Sequence, residues 1–259
     1  LKSVINLNLK DLDTSLADNM TEMFAGCKNL VSLDVSGWDT SNVTQMRAMF
    51  DMCEKLKSID LSSWNTSSLT EMTGLFEYCY EIEEINLQGW NTSKVTNMQL
   101  IFDYCKKLKK LNISTFDTSN VTDMTDMFMY CQELEELDLS HFDTSKVTKM
   151  LFMFDHCVKL KKINVSSFNT SNVTDMSGMF GDCSSLISLD VSHFDTRKVT
   201  GMHSMFVRCS SLEELNLSNF ITTSLTGTNY MFQQCTNLRK LNISGFYVNN
   251  ISSHNSMFN

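Results

Sequence analysis

The sequence predicts an α/β solenoid of about ten stacked 26-residue coils, with a parallel sheet on one face and short helical turns on the other. Three observations lead there. All nine cysteines stand on one ladder of period 26: Cys27, Cys53, Cys79, Cys105, Cys131, Cys157, Cys183, Cys209 and Cys235. A fixed period of that length marks an array of supersecondary units, each needing its neighbours to cover its apolar face. Within each period the apolar spacing switches from helical to strand-like. Finally, the 259 residues hold no proline and only nine glycines, so there is no linker at which the chain could divide.

The coil from Val43 to Ser67 shows each element in order. Met46, Met49, Phe50 and Cys53 follow the spacing i, i+3, i+4, i+7, one face of a short helix. Thr44 precedes them and recurs from Thr70 to Thr200, at the place of an N-cap. Next, Leu56, Ile59 and Leu61 pass to period two, so that Ser58, Asp60 and Ser62 point outward from a strand. Ser63-Trp64-Asn65-Thr66-Ser67 is rich in turn formers and reads as the return loop. Strands about 4.8 Å apart beside helices that need about 10 Å would bend the sheet into a concave face.

The core follows from the columns. Sixteen of the 18 methionines lie in the Met46 and Met49 columns, and ten of the 17 phenylalanines lie in the Phe50 column. A stripe of Met and aromatic residues can line a cofactor pocket. Here the period accounts for every member, so it reads as core, with methionine as the adaptable filler, and no cofactor is expected.

The unit Met-Phe-x-x-Cys-x-x-Leu-x-x-Leu-Asp-Leu-Ser-x-Phe-Asp-Thr-Ser-x-Val-Thr-x-Met, at Met127 to Met150, resembles the 26-residue repeat of BspA-like surface proteins, the Treponema pallidum type of leucine-rich repeat. The resemblance runs along the whole chain. It implies a leucine-rich-repeat solenoid at a cell surface or secreted. Its implied task is adhesion to proteins of host or neighbouring cells, to matrix proteins or to glycans. It carries over no catalytic residue. Thr228 and His254 depart from the pattern in the Met46 column, and Ile221 and Tyr247 depart in the loop column.

A cysteine spacing of 26 fits neither a zinc motif nor a small disulfide framework, so the thiols read as buried and reduced, and no metal is expected. The Asp60 column mixes Asp with Asn, asparagine filling over half the sites, and reads as an Asx ladder between coils rather than a calcium site. The Thr66 column reads as loop hydrogen bonding. The five histidines are scattered, and no triad or phosphate loop appears. The candidate binding residues lie in two rows. Tyr78, Tyr104 and Tyr130 share one outward column, suited to anchoring an interface. Along the strands, Glu84, Lys110, Glu136, Lys162, Glu214 and Lys240, with Ser58 and Ser188, form a row whose charge alternates by coil. Opposite charges one coil apart attract, so this row reads first as a register ladder, with which a striped face for a partner is compatible.

These readings converge on a non-enzymatic recognition module. The alternative is a structural stalk, or a subunit that self-associates end to end through strand edges. A net charge of −9 argues against nucleic acid as partner. No apolar run approaches the roughly 18 residues of a membrane span, and no signal sequence is present. Residues 1–259 are expected to form one solenoid within a longer protein, since Leu1 already stands in the cysteine column and neither end reads as a cap.

Overall fold

A computed structural model describes residues 3–247 and 249–258. Nine three-residue strands recur down the chain: β1 (Asn6–Asn8), β2 (Ser32–Asp34), β3 (Ser58–Asp60), β4 (Glu84–Asn86), β5 (Lys110–Asn112), β6 (Glu136–Asp138), β7 (Lys162–Asn164), β8 (Glu214–Asn216) and β9 (Lys240–Asn242). They pair in parallel with a shift of one repeat, as in Ile85 opposite Leu111 and Leu137 opposite Ile163. Pairing is interrupted: β1 joins β2, β3 joins β4 and β5, β6 joins β7, and β8 joins β9. The segment Ser188–Asp190, which would continue the series between β7 and β8, is not a strand. The solenoid therefore makes about nine turns from β1 to β9, rather than the ten coils expected.

The helical expectation is overturned: no helix occurs among the described residues. Over Met46–Cys53 two sets of hydrogen bonds interleave. Met49 N–H donates to Met46 O (3.2 Å), Asp51 to Ala48 O (3.1 Å) and Cys53 to Phe50 O (3.1 Å), each closing one tight turn. Between them, Met46 N–H donates to Glu71 O (2.8 Å), Ala48 to Thr73 O (2.9 Å), Phe50 to Leu75 O (3.0 Å) and Met52 to Glu77 O (2.8 Å), all on the next coil. Two left-handed residues, Ala48 (φ 52°) and Met52 (φ 55°), make this possible. Each breaks the helix after one turn and swings its amide along the solenoid axis. The conformation costs a residue with a Cβ about 1–2 kcal/mol. The inter-coil hydrogen bond, worth about 1 kcal/mol net, offsets much of that.

The same two columns are left-handed throughout. One runs Glu22, Ala48, Gly74, Leu100, Asp126, Phe152, Gly178, Ser204, Tyr230 and Ser256; the other runs Gly26, Met52, Tyr78, Tyr104, Tyr130, His156, Asp182, Arg208 and Gln234. A parallel ladder of single bridges flanks them, from Asn97 through Asp123, Lys149, Asp175, Gly201 and Gly227 to Ser253. Backbone hydrogen bonds thus set the coil spacing on the turn face as well as on the strand face. The premise for a strongly concave sheet, wide helices opposite narrow strands, does not hold.

The core columns are as expected. Met46, Met49, Phe50, Cys53, Leu56 and Leu61 are buried, and so are their counterparts through the central coils. Phenylalanines of successive coils stack from Phe24 to Phe258 with ring centroids 5.1–6.1 Å apart. Trp38, Trp64 and Trp90 stack in the loop column, each indole N–H donating to a carbonyl of the preceding coil, as Trp90 Nε1 does to Leu61 O at 3.0 Å. This satisfies the one polar atom of a large buried ring.

The hydroxyl and thiol rows also run between coils. Thr40, Thr66 and Thr92 are buried and donate to carbonyls of the next coil at 2.8–3.2 Å. Thr70 Oγ1 donates to Thr44 O (3.0 Å), so this column is an inter-coil clip and not the N-cap expected of it. The nine cysteines are free, and from Cys53 onward each thiol donates to a phenylalanine carbonyl one coil back, as Cys79 Sγ does to Phe50 O at 3.2 Å. The Asp60 column departs from the inter-coil ladder expected of it. Its oxygens mostly accept from their own coil, as Asp60 Oδ1 does from Ser62 N (2.9 Å), with one bond across coils from Asn86 Nδ2 (3.1 Å).

Candidate functional site

Two side-chain rows stand out from the repeat. On the strand face the alternating charges are paired one coil apart. Lys110 bridges Glu84 at 3.2 Å, Lys162 bridges Glu136 at 3.0 Å and Lys240 bridges Glu214 at 2.5 Å. Flanking them, Lys109 meets Glu83, Lys161 meets Glu135 and Lys159 meets Glu133. Glu81 accepts from both Lys57 and Lys107 at 2.7 Å, and these two ammonium groups hold its carboxyl down at about 2. These glutamates are therefore neutralised by lysines of adjacent coils, while Asp60, Asp138 and Asp190 accept from backbone amides of their own coil. Its grooves are shallow. One of about 690 Å³ lies where strand pairing fails, lined by Ser188, Leu189, Asp190, Glu214 and Lys240.

On the turn face the left-handed backbone holds the second column outward, where sequence reasoning placed Tyr78, Tyr104 and Tyr130 by a helical wheel. The structure brings the three together. Tyr78 and Tyr104 have ring centroids 5.1 Å apart, and Tyr104 and Tyr130 stack at 4.2 Å. The row continues beyond them. His156 stacks on Tyr130 at 4.1 Å, its Nε2 lies 3.5 Å from Asp182 Oδ2, and Asp182 is held by Arg208 through Oδ1 at 2.5 Å and Oδ2 at 2.7 Å. Tyr80 adds an edge contact to Tyr78 and Tyr104, and the Lys106 ammonium lies 4.8 Å from the Tyr80 ring centre and 5.3 Å from that of Tyr104.

Beside the tyrosines lies a row of acids that sequence reasoning missed: Asp51, Glu77, Asp103 and Asp155 in one column, with Asp126 next to it. Burial raises the proton affinity of all five, and like charge adds to it. Asp103, 3 % exposed, is pushed up to about 8 by burial and then by Asp126 and Glu77; Asp126 reaches about 6 through burial and then Asp155. Asp103 Oδ1 and Asp51 Oδ1 are buried without a hydrogen-bond partner. Asp155 differs in having His156 Nδ1 at 2.7 Å. The signal was faint because Ala25, Met129, Gly181 and Val207 interrupt the column.

Asp155, His156 and Asp182 form the one trio of side chains, among the described residues, close enough to share a metal ion. The Arg208 guanidinium already occupies Asp182, so the trio reads as the end of the stack. His141 and His193, which share a loop column, place Nε2 3.1 Å and 3.0 Å from the carbonyls of Ile113 and Val165. No helix of the described residues is long and apolar enough to cross a membrane.

In-register parallel strands, buried Leu and Phe columns and a 26-residue period define a leucine-rich-repeat-type solenoid. The chain belongs to the family described as "Mycoplasma protein of unknown function, DUF285", which matches residues 2–86, 70–188 and 153–259. The BspA-like repeat recognised in the sequence agrees with that membership. No curated protein matches. Among solved structures, a leucine-rich cell surface protein from Faecalibacterium prausnitzii shares 16 % identity at a TM-score of 0.40, over 97 % of this chain and 76 % of that one. A leucine-rich repeat protein from Bacteroides ovatus shares 19 % at 0.35, over 95 % and 76 %. These likenesses are too distant to carry a function.

Proposed function

We propose that this solenoid is a non-enzymatic recognition and adhesion module, displayed at a cell surface or secreted, that binds proteins or glycans of host or neighbouring cells or their matrix. The observation that carries the reading is the stack Tyr78–Tyr104–Tyr130–His156. It is a four-coil departure from an otherwise regular array, it is half-buried, and each ring packs on the next. Pre-ordered aromatic side chains are good interface anchors because little entropy is lost when they are covered. Long rows of side chains over shallow grooves suit a macromolecule better than a metabolite. Binding of the purified chain to immobilised matrix proteins and to glycan arrays tests this. Saturable binding that falls on Tyr104→Leu supports it, and no binding to either class sinks it.

One observation favours the structural reading as well: the turn-face bridges run unbroken and in register from Asn97 to Ser253, as in a stiff rod. Light scattering of the protein separates the two. Discrete particles fit a recognition module, and filaments fit a fibre subunit.

A further inference from the structure

The two faces treat their carboxylates differently. On the strand face, Glu81, Glu83, Glu84, Glu133, Glu135, Glu136 and Glu214 each meet a lysine. On the turn face, Glu77, Asp103 and Asp126 form no ion pair among the described residues, and the charges they feel are those of one another and of Asp51, Asp123 and Asp155. Asp103 is nearly inaccessible and its Oδ1 lacks a partner. The adjoining aromatic row already attracts an ammonium group, that of Lys106, to the rings of Tyr80 and Tyr104.

We propose that the turn face around Glu77, Asp126, Tyr78 and Tyr104 is the docking surface for a Lys/Arg-rich segment of a partner protein. This rests on the recognition reading above and names its partner chemistry. A basic side chain supplies what the cluster lacks, a counter-charge for carboxylates crowded by their own kind, and the Lys106 contact shows that the tyrosine rings accept a cation. Sulfated or sialylated glycans and anionic lipid surfaces carry the same charge sign as the acids and are repelled. Neutral sugars stack on open ring faces, but in this row each inner ring is covered by the next. The strand-face glutamates named above already have lysine partners.

The test uses the whole chain and a fluorescein-labelled peptide of alternating Arg and Gly, read by fluorescence anisotropy, with a Glu-Gly peptide as control. Wild type is compared with Glu77→Gln/Asp126→Asn on the turn face and with Glu135→Gln/Glu136→Gln on the strand face. The two variants change net charge equally. Asn suits the left-handed position 126, and circular dichroism checks that each variant folds. The turn-face variant is expected to bind the Arg-Gly peptide about tenfold more weakly, and the strand-face variant within about twofold of wild type, because only close charge pairs are lost to any extent. Tyr104→Leu is expected to weaken binding about threefold. Equal losses in the two double variants would mean diffuse attraction to an acidic protein, and no binding of the Arg-Gly peptide would mean no site; either overturns the proposal. If wild type and the turn-face variant bind matrix proteins or glycans equally, this surface assignment falls and the recognition reading stands. If the Arg-Gly peptide binds as expected while matrix proteins and glycans do not, the assignment stands and the broader reading falls.

Discussion

Lys110 Nζ lies 3.2 Å from Glu84 Oε2 on the preceding coil, and the strands that carry them are paired; Glu136, on the following coil, forms no ion pair with Lys110, and there the strand pairing stops. The same coincidence holds at Glu136 with Lys162 and at Glu214 with Lys240. Glu-before-Lys couples thus accompany three of the described pairings, while β1–β2 (Asn6 opposite Ser32) and β3–β4 (Ser58 opposite Glu84) form without one, so the stripe is expected to reinforce register where it occurs. Reversing Lys107, Lys109 and Lys110 to glutamate places like charges opposite Glu81, Glu83 and Glu84. The variant is expected to melt below wild type at low salt. The gap should close in about 1 M salt, where the screening length falls to roughly 3 Å. An unchanged melting temperature at low salt would remove the ladder from the account.

The two faces respond to pH in opposite senses. The Glu81 carboxyl, held at about 2 by Lys107 and Lys57, favours folding above the ordinary glutamate range, and that contribution is lost as pH falls toward 2. Asp103 is raised to about 8, so from about pH 4 to pH 8 the folded state holds a proton that the unfolded state has released. Stability therefore falls across that window as pH rises. Asp103→Asn removes the titration. Its urea midpoint should match wild type near pH 4, exceed it near pH 8, and show a flatter pH dependence. Identical slopes would mean that Asp103 ionises freely.

The thiols are expected to be nearly inert in the folded protein. Burial pushes Cys53 up to about 12, and Cys235, half-buried near the last turn, only to about 11. The thiolate is the nucleophile, so little is present at neutral pH. Iodoacetamide should label the end-turn thiols Cys235 and Cys27 first, and all nine only after denaturation, read by intact mass and peptide mapping. Rapid native labelling of Cys105 or Cys131, both fully buried, would show that the central turns open readily.

The period, the core columns, the charge ladder and the outward tyrosines were all legible because each is a matter of spacing. The turn face was misread because Met46, Met49, Phe50 and Cys53 point inward in a helix and equally in a series of single turns separated by left-handed residues. What separates the two is the backbone of Ala48 and Met52, and in most coils those columns carry residues that give no sign of positive φ, such as Leu100, Phe152, Tyr104 and Arg208. Gly26, Gly74 and Gly178 in the same columns were the available hint. The acids were missed for a different reason. Asp103 and Asp51 sit beside a left-handed residue, where burial depends on that backbone geometry and not on apolar periodicity.

Glycine substitutions separate conformation from contact in this fold. Gly26 has φ 69°, and a Cβ there would meet nothing within 4 Å. Gly26→Ala should therefore cost only the left-handed conformation, about 1 kcal/mol, as its column mates Met52 and Tyr78 already bear. Met52 is partly exposed and buries little, so Met52→Gly should gain a comparable amount, less the entropy glycine restores to the unfolded chain. Gly37 is the contrast. Its backbone has no positive φ, but a Cβ would stand 2.0 Å from Lys10 O and 3.1 Å from its carbonyl carbon, atoms of the preceding coil that cannot rotate away. Gly37→Ala must push the loop off its neighbour and should cost about 1–3 kcal/mol. Urea unfolding of the three variants gives the order Met52→Gly, Gly26→Ala, Gly37→Ala from most to least stable. If Gly26→Ala proves the more damaging of the two alanine variants, left-handed backbone and not coil packing sets the tolerance of this solenoid to substitution.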